Sequence, residues 1–269
     1  MKQIILGFVV LLLIAGAVIA FQKVYVTSDV PGTTPSPRPN LIVHSPKPNA
    51  TVTNPIRVTG EGMAFESTFS YRLRDANGKI LYENNAMLKG FEYPKYGTFD
   101  FKIAIPPNPT AQLTLEVFEY SAKDGAVTNL VRVPVQMAND DTTKVQAYFL
   151  NDTMDPQQTC TQVFPVERIV PKTKEVAFVA VSELLRGITP VEKNAKYVTA
   201  LPERVAINSL VISDGVARID FNYALDSGIG GSCRVSAIRA QIAQTLKQFS
   251  NVKEVIISRE GNTEEVLQP

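Results

Sequence analysis

Tryptophan is absent from the 269 residues of the chain, histidine occurs once, and the 27 basic and 26 acidic residues almost cancel. The single histidine, His44, lies in a predicted strand just before a proline-rich turn, and we interpret it as a surface residue rather than a catalytic base. One histidine and no Cys-x-x-Cys motif disfavour a metal centre. Lysine and arginine form no basic run, so we expect no nucleic-acid partner. We expect no cofactor either.

A long apolar run follows the first residues of the chain. No charged side chain occurs between Ile4 and Phe21, a length at the lower edge of a membrane-spanning helix and above the usual apolar core of a signal peptide. Lys2 would keep the N-terminus in the cytoplasm. We therefore predict that residues 1–26 form an apolar helix, a signal or single-pass anchor in the bacterial cytoplasmic membrane, with the folded domains outside the cytoplasm. Cleavage after Ala20 stays open.

Proline, serine and threonine dominate residues 27–40, which predicts an extended spacer. Residues 41–137 then form short runs in which apolar and polar side chains alternate. In Thr68–Asp75 every second side chain is apolar, and a turn of sequence Asp-Ala-Asn-Gly leads into the next strand. Seven such strands with turns between them predict an all-β immunoglobulin-like sandwich.

Residues 138–143 are a short polar linker, and residues 144–269 combine strands with two helical patterns. The apolar stripes of the two helices are Ala177, Ala180, Val181, Leu184, Leu185 and Ile188, then Val235, Ile238, Ile242, Leu246 and Phe249. Gly187 and Pro190 are expected to end the first helix. A hairpin with an Asp214-Gly215 turn lies between the helices. The order β-(β)-α-β-β-α-β predicts an α+β domain of the split βαβ type.

The two cysteines, Cys160 and Cys233, are predicted to form a disulfide bond if the chain is exported. Closing that loop would stabilise the fold by roughly 4 kcal/mol in the chain-entropy model. Two buried free thiols are the alternative.

An aromatic loop between predicted strands contains Phe91, Tyr93 and Tyr96. Exposed tyrosine rings can stack on sugars or anchor a protein partner, so this loop is a candidate recognition site. The alternative is that these rings close one end of the sandwich.

Two further patterns could carry chemistry. The glycine-rich run 227–233 could bind an anion at a helix N-terminus, but a turn with Ser232 as the helix cap is the simpler interpretation. Paired carboxylates could cleave glycosidic bonds, and the closest pairs are Glu61 and Glu66, Glu116 and Glu119, and Asp152 and Asp155. None of these spacings requires a catalytic role.

Specific residues in both halves resemble known families. In residues 41–137 they are His44-Ser45-Pro46, Val58–Gly62, Ala64-Phe65-Glu66, Asp75–Gly78, Gly97-Thr98-Phe99 and Phe118–Gly125. This succession resembles the immunoglobulin-like domain associated with bacterial spore germination. The second half resembles the GerMN domain of sporulation and germination proteins, through Val145–Leu150, Ala180–Gly187, Thr199–Pro202, Val211–Phe221, Gln241–Leu246 and Val252–Ser258.

The resemblance implies a non-enzymatic binding or scaffolding protein of the cell envelope that contacts peptidoglycan or envelope proteins. It also implies a second domain similar to the ring-building domains of secretion and sporulation complexes, so a homo-oligomer is an alternative. No catalytic residue comes with either family. A cell-wall hydrolase that uses a carboxylate pair is the enzymatic alternative.

Overall fold

Residues 38–138 and 141–268 are described in the computed structural model of the chain. The predicted apolar helix of residues 1–26 and nearly all of the predicted spacer lie outside the described residues. Within the described ranges, no helix is long and apolar enough to cross a membrane.

Eight strands form the first part of the described chain. They are β1 (Leu41–Ser45), β2 (Ala50–Val52), β3 (Ile56–Gly62), β4 (Thr68–Asp75), β5 (Ile80–Met87), β6 (Gly97–Ile103), β7 (Gln112–Tyr120) and β8 (Val127–Met137). One sheet has the order β1-β3-β6 and the other the order β2-β8-β7-β4-β5. Strand β2 is the addition to the seven predicted strands, and it pairs with β8 in parallel. The two sheets enclose one core, as predicted for an immunoglobulin-like sandwich.

Strand β4 shows how alternation positions the core. Its apolar side chains Phe69, Tyr71 and Leu73 are buried between the sheets, and Phe69 packs on the ring of Phe99 with centroids 4.8 Å apart. Arg72 lies on the opposite face of β4 and is only 8 % exposed. It is buried because it pairs with the carboxylate of Glu116 on the neighbouring strand β7.

The second part of the chain combines six strands with three helices. They are β9 (Thr142–Asn151), β10 (Phe164–Pro171), α1 (Val176–Leu185), α2 (Pro190–Asn194), β11 (Tyr197–Val198), β12 (Ile207–Ser213), β13 (Val216–Phe221), α3 (Ser232–Lys247) and β14 (Glu254–Arg259). One sheet has the order β10-β9-β11 and the other β12-β13-β14. Strands β13 and β14 are parallel and α3 connects them, while α1 and α3 bury their apolar stripes against the sheets.

Two local predictions were wrong. Pro190 begins α2 rather than only ending α1, because Thr189 caps this short helix in a reciprocal capping box with Glu192 and proline fits the first helical turn. Ser232 is the first residue of α3 and not its cap. Gly231 occupies the cap position with a φ of 89°, and no side chain caps that end.

Both parts belong to one compact unit that begins at residue 39. An apolar cluster joins them, since Ala104 from the first part packs with Phe178 and Val179 of α1. The domain limits 41–137 and 144–269 stay a prediction.

A cleft between the two domains as the candidate functional site

Asn54 hydrogen-bonds across the boundary between the domains. The side chain is 4 % exposed. Its Nδ2 donates to the carbonyl of Pro171 at 2.9 Å, and its Oδ1 accepts from the backbone N–H of Ile105 at 2.9 Å. One side chain therefore holds the end of β10 against the segment that follows β6.

Arg186, directly after α1, makes a second bridge. Its Nη2 donates to the carbonyl of Ala104, and its guanidinium lies 5.1 Å from the centre of the Tyr82 ring. Its Nε is 2.8 Å from Oε1 of Glu183, which is almost fully buried. Burial raises the pKa of Glu183, although Arg186 and Arg168 favour its charged form.

Further polar contacts complete the boundary. Lys102 of β6 forms an ion pair with Glu175 and lies 5.6 Å from the centre of the Phe178 ring. The Nδ2 of Asn84 donates to the carbonyl of Val205 at 3.2 Å. These contacts fix the two domains on either side of an open space.

That space is a cleft of about 450 Å³, within the range of ligand-binding sites. The rings of Tyr82 and Phe101 form one wall, with the buried ring of Tyr71 packed against both. Residues of α1, the segment 204–208 and Tyr223 form the other. The cleft shares Phe101 and other residues with a more open groove of about 960 Å³, which runs between β6 and β12.

The carboxylates at the far wall are already engaged by hydrogen bonds. Asn208 donates from Nδ2 to Asp220 at 2.9 Å and to Glu260 at 3.4 Å. Asp220 also accepts from the hydroxyl of Ser258 at 2.6 Å and from the N–H of Gly261 at 2.8 Å. These acids are therefore held in place by the fold.

Two cations on the cleft walls are not paired in this way. Lys89 and Arg204 are both exposed and line the cleft. Neither forms an ion pair with a carboxylate in the described part of the chain. The cleft therefore combines aromatic surface, amide groups and unpaired positive charge.

The predicted recognition loop lies outside this cleft. Phe91 is partly buried against the sandwich core, and the hydroxyl of Tyr96 donates to the carbonyl of Pro39 at 2.9 Å. Tyr93 projects into solvent and is 81 % exposed. Of the three rings, Tyr93 is thus the one best placed to meet a partner, and recognition by this loop stays a prediction.

None of the six acids in the candidate carboxylate pairs lines the cleft. Four of them contact other residues of the protein, and two are exposed. Glu61 lies 3.3 Å from Nε2 of His44, an exposed strand residue as expected. Asp155 is buried and accepts from the N–H and hydroxyl of Thr159 at 2.8 and 2.9 Å. Glu119 accepts from the side chain of Asn129 at 2.6 Å. Glu66 and Asp152 are exposed.

Glu116, the remaining member, is buried beneath arginines on the outer face of the five-stranded sheet. Arg74 and Arg132 each donate to it at 2.9 Å, and Arg72 forms a third, shorter hydrogen bond. Burial alone would raise the pKa of Glu116, but the hydrogen bonds from Arg74, Arg72 and Arg132 outweigh it and lower the pKa to about 2. This carboxylate is a structural anion.

Cys160 and Cys233 are joined by a disulfide bond with a sequence separation of 73 residues. The bond ties the loop between β9 and β10 to the first turn of α3. Among the described residues, no cluster of three or more histidine, cysteine, aspartate or glutamate side chains could hold a metal ion.

The architecture is that of a two-domain protein in which an immunoglobulin-like sandwich precedes an α+β domain. Residues 40–126 match the family model of the immunoglobulin-like domain of bacterial spore germination, and residues 146–265 match the model described as sporulation and spore germination. The chain therefore carries these two family domains in tandem. The resemblance inferred from its residues is thereby confirmed.

Several solved structures are similar to about half of the chain. The tandem GerMN domains of the sporulation protein GerM from Bacillus subtilis are 19 % identical, with a TM-score of 0.37 over 48 % of this chain and 43 % of that one. The first GerMN domain of the same protein is 20 % identical, with a TM-score of 0.33 over 45 % of this chain and 86 % of that one. A protein described as a lipoprotein from Clostridium perfringens is 16 % identical, with a TM-score of 0.30 over 46 % of this chain and 80 % of that one.

This chain therefore spans less than half of the tandem GerM structure. No curated protein sequence matches it.

Proposed function

We propose that this protein is a non-enzymatic binding or scaffolding protein of the bacterial cell envelope, which contacts peptidoglycan or envelope proteins through the cleft between its two domains. The matches of the two domains to sporulation and germination family models support an envelope role. The cleft carries the proposal, because aromatic rings beside amide and charged groups are the chemistry that binds sugars and peptides. In this proposal the apolar N-terminal segment tethers the domains to the outer face of the cytoplasmic membrane.

The geometry of the acids supports binding over hydrolysis. A glycosidase requires one carboxylate to donate a proton and a second to act as base or nucleophile at a fixed separation. Asp220 at the cleft accepts three hydrogen bonds from the protein itself, and Glu116 is enclosed by arginines. Both of these carboxylates are therefore already engaged by donors of the protein itself.

Co-sedimentation with purified peptidoglycan sacculi tests this proposal. The full chain, kept soluble in mild detergent, is mixed with sacculi, and both bound protein and released muropeptides are measured. Binding without release is expected. Release of muropeptides would overturn the non-enzymatic assignment. Absence of binding would remove peptidoglycan as the ligand, and photo-cross-linking from the cleft in cells would then identify an envelope protein or contradict the proposal.

Three tyrosine variants locate the binding surface. Tyr223→Ala removes a half-exposed ring at the cleft, Tyr93→Ala removes the exposed ring of the aromatic loop, and Tyr120→Ala removes a ring on the outer sheet face as a control. Tyr93 and Tyr223 are mostly exposed, so their loss should change stability by less than about 1 kcal/mol. Tyr120 also donates to Glu83 and packs on Phe118, so thermal unfolding must show that its variant is folded at the assay temperature. Loss of binding confined to Tyr223→Ala is expected. Loss confined to Tyr93→Ala would place the site on the loop instead.

A further inference from the structure

Strand β6 has a free edge that opens into the groove between the domains. Among the described strands it pairs with β3 alone, at one edge of its sheet, apart from a single bridge between Thr98 and Lys89. The N–H and C=O of Thr98 both point away from β3, because they exchange hydrogen bonds with Lys89 at 2.9 and 2.7 Å. Backbone groups of an antiparallel strand point the same way at every second residue. Those of Asp100 and Lys102 therefore face the groove.

This stretch of free edge is closed at both ends. At one end, the backbone of Lys89 hydrogen-bonds the N–H and C=O of Thr98. At the other, the guanidinium of Arg186 donates to the carbonyl of Ala104. Between them, no described residue hydrogen-bonds the backbone N–H or C=O of Asp100 or Lys102. The free groups of Asp100 and Lys102 match the length of a short added strand, since every second residue of an antiparallel strand exchanges both its N–H and its C=O with the residue opposite.

A second free edge borders the same groove. In the part of the chain that the structure describes, β12 pairs with β13 alone and forms the edge of its own sheet. Its residues Asn208, Ser209 and Leu210 line the groove together with Phe101 and Lys102 of β6. The groove is therefore bordered by two strand edges, and an exposed strand edge is a template for pairing with another chain.

Charge and apolar surface specify what such a strand would carry. Side chains of an extended peptide alternate between two faces. One face would meet the aromatic wall where the groove joins the cleft, formed by Phe101 and, on the cleft side, Tyr82, which favours apolar residues. The other would lie near Lys89 and, on the cleft side, Arg204, two exposed cations that form no ion pair within the described ranges, which favours acidic residues.

We propose that the groove binds an extended acidic segment of a partner protein, in which acidic and apolar residues alternate, by adding it as a strand to the free edge of β6. This inference rests on the proposed function and names its ligand as a protein segment. Its main-chain hydrogen bonds would form at Asp100 and Lys102, and its acidic side chains would be recognised by Lys89 and Arg204.

The first test uses a synthetic peptide, Val-Glu-Val-Glu-Val-Glu-Val with both ends blocked, and its counterpart with lysine in place of glutamate. The full chain in mild detergent should bind the glutamate peptide at least about tenfold more tightly, since opposite charges are brought together. Hydrogen exchange of residues 97–103 should slow on binding, while Leu41–Ser45, at the other edge of the same sheet, should not change. Equal affinity for both peptides, no binding, or no protection of residues 97–103 overturns the inference.

Proline substitution tests the backbone contact. Asp100→Pro removes an N–H that faces the groove and leaves the bonds to β3 intact, which an edge strand tolerates. Asp100→Thr is the matched control, because it also removes the carboxylate but keeps the N–H. The proline variant should bind the glutamate peptide about tenfold more weakly than the threonine variant, and equal binding by two folded variants overturns the inference. If circular dichroism shows that Asp100→Pro is unfolded, Lys102→Pro against Lys102→Thr replaces it and the exchange result on the unmodified chain decides.

The outcomes separate this inference from the proposed function. A muramyl tripeptide that binds where the glutamate peptide does not would overturn the protein-segment ligand and leave the peptidoglycan role standing. Slowed exchange with the glutamate peptide, together with no binding to sacculi, would support the protein segment and remove the peptidoglycan role.

Discussion

At the scale of single residues, the outer face of the five-stranded sheet shows how a buried charge is accommodated. Glu116 is 3 % exposed at its side chain, and three arginines donate to its two oxygens. Arg72 also lies 3.6 Å from Glu83 and 4.5 Å from the centre of the Phe118 ring. The arginines therefore cover apolar surface as well as neutralising the acid, so removal of the carboxylate leaves them close together without their shared partner.

Replacing Glu116 with glutamine should lower the free energy of unfolding by about 3 kcal/mol, because one partner of a buried ionic cluster is removed. Urea unfolding at pH 7 measures the change. Glu119→Gln is the control, since Glu119 lies on the same strand but is more exposed and accepts only from Asn129 and the N–H of Phe65. A loss below about 1 kcal/mol in Glu116→Gln would show that the cluster does not stabilise the sandwich.

The same carboxylate predicts a pH dependence. Its pKa in the folded chain is about 2, below the ordinary value of 4.5. A lowered pKa contributes stability that is fully present above pH 4.5 and is lost as the pH falls towards 2. The difference in unfolding free energy between the unmodified chain and Glu116→Gln should therefore shrink over that interval. A difference that stays constant between pH 5 and about pH 2.5 would contradict the assigned pKa.

At the scale of elements, alternation and helical period predicted the long strands and both long helices. Strand β4 and helix α3 follow directly from their apolar spacing. The short elements were missed for physical reasons. Strand β2 has three residues, too few to show a period, and its pairing with β8 is a long-range contact. A proline can follow the end of one helix or occupy the first turn of the next, so Pro190 alone does not predict which. The capping box between Thr189 and Glu192 shows that it begins α2.

The disulfide acts at the same scale, because it ties a loop to α3. Replacing both Cys160 and Cys233 with serine should lower the free energy of unfolding by roughly 4 kcal/mol, since the unfolded chain regains the freedom of a long loop. Chemical denaturation of the two proteins measures it. The intact mass of the unmodified chain should also rise by about two mass units on reduction. Equal masses before and after reduction would refute the bond.

At the scale of the whole molecule, the cleft could not be predicted from the sequence. Its walls come from residues far apart in the chain, such as Tyr82 and Tyr223, and no motif or spacing links them. They are brought together by the domain boundary, where Asn54 and Pro171 meet across 117 residues of sequence. Sequence patterns identify the two domains. The cleft, however, exists only because the two domains pack against each other, and that packing cannot be read from either domain's pattern.

This dependence makes the coupling of the domains testable. Asn54→Ala removes the partners of two backbone groups, the carbonyl of Pro171 and the N–H of Ile105, at a cost of about 1–3 kcal/mol for each group left unpaired. The loss falls on the contact between the domains, so we expect calorimetry to show two transitions in the variant where the unmodified chain shows one. Glu116→Gln is the matched control. It weakens the sandwich away from the boundary and should lower the temperature of a single transition. If Asn54→Ala also unfolds in one step, with equal calorimetric and van't Hoff enthalpies, Asn54 is not what couples the domains and the cleft must be held by Arg186 and the apolar cluster around Phe178 instead.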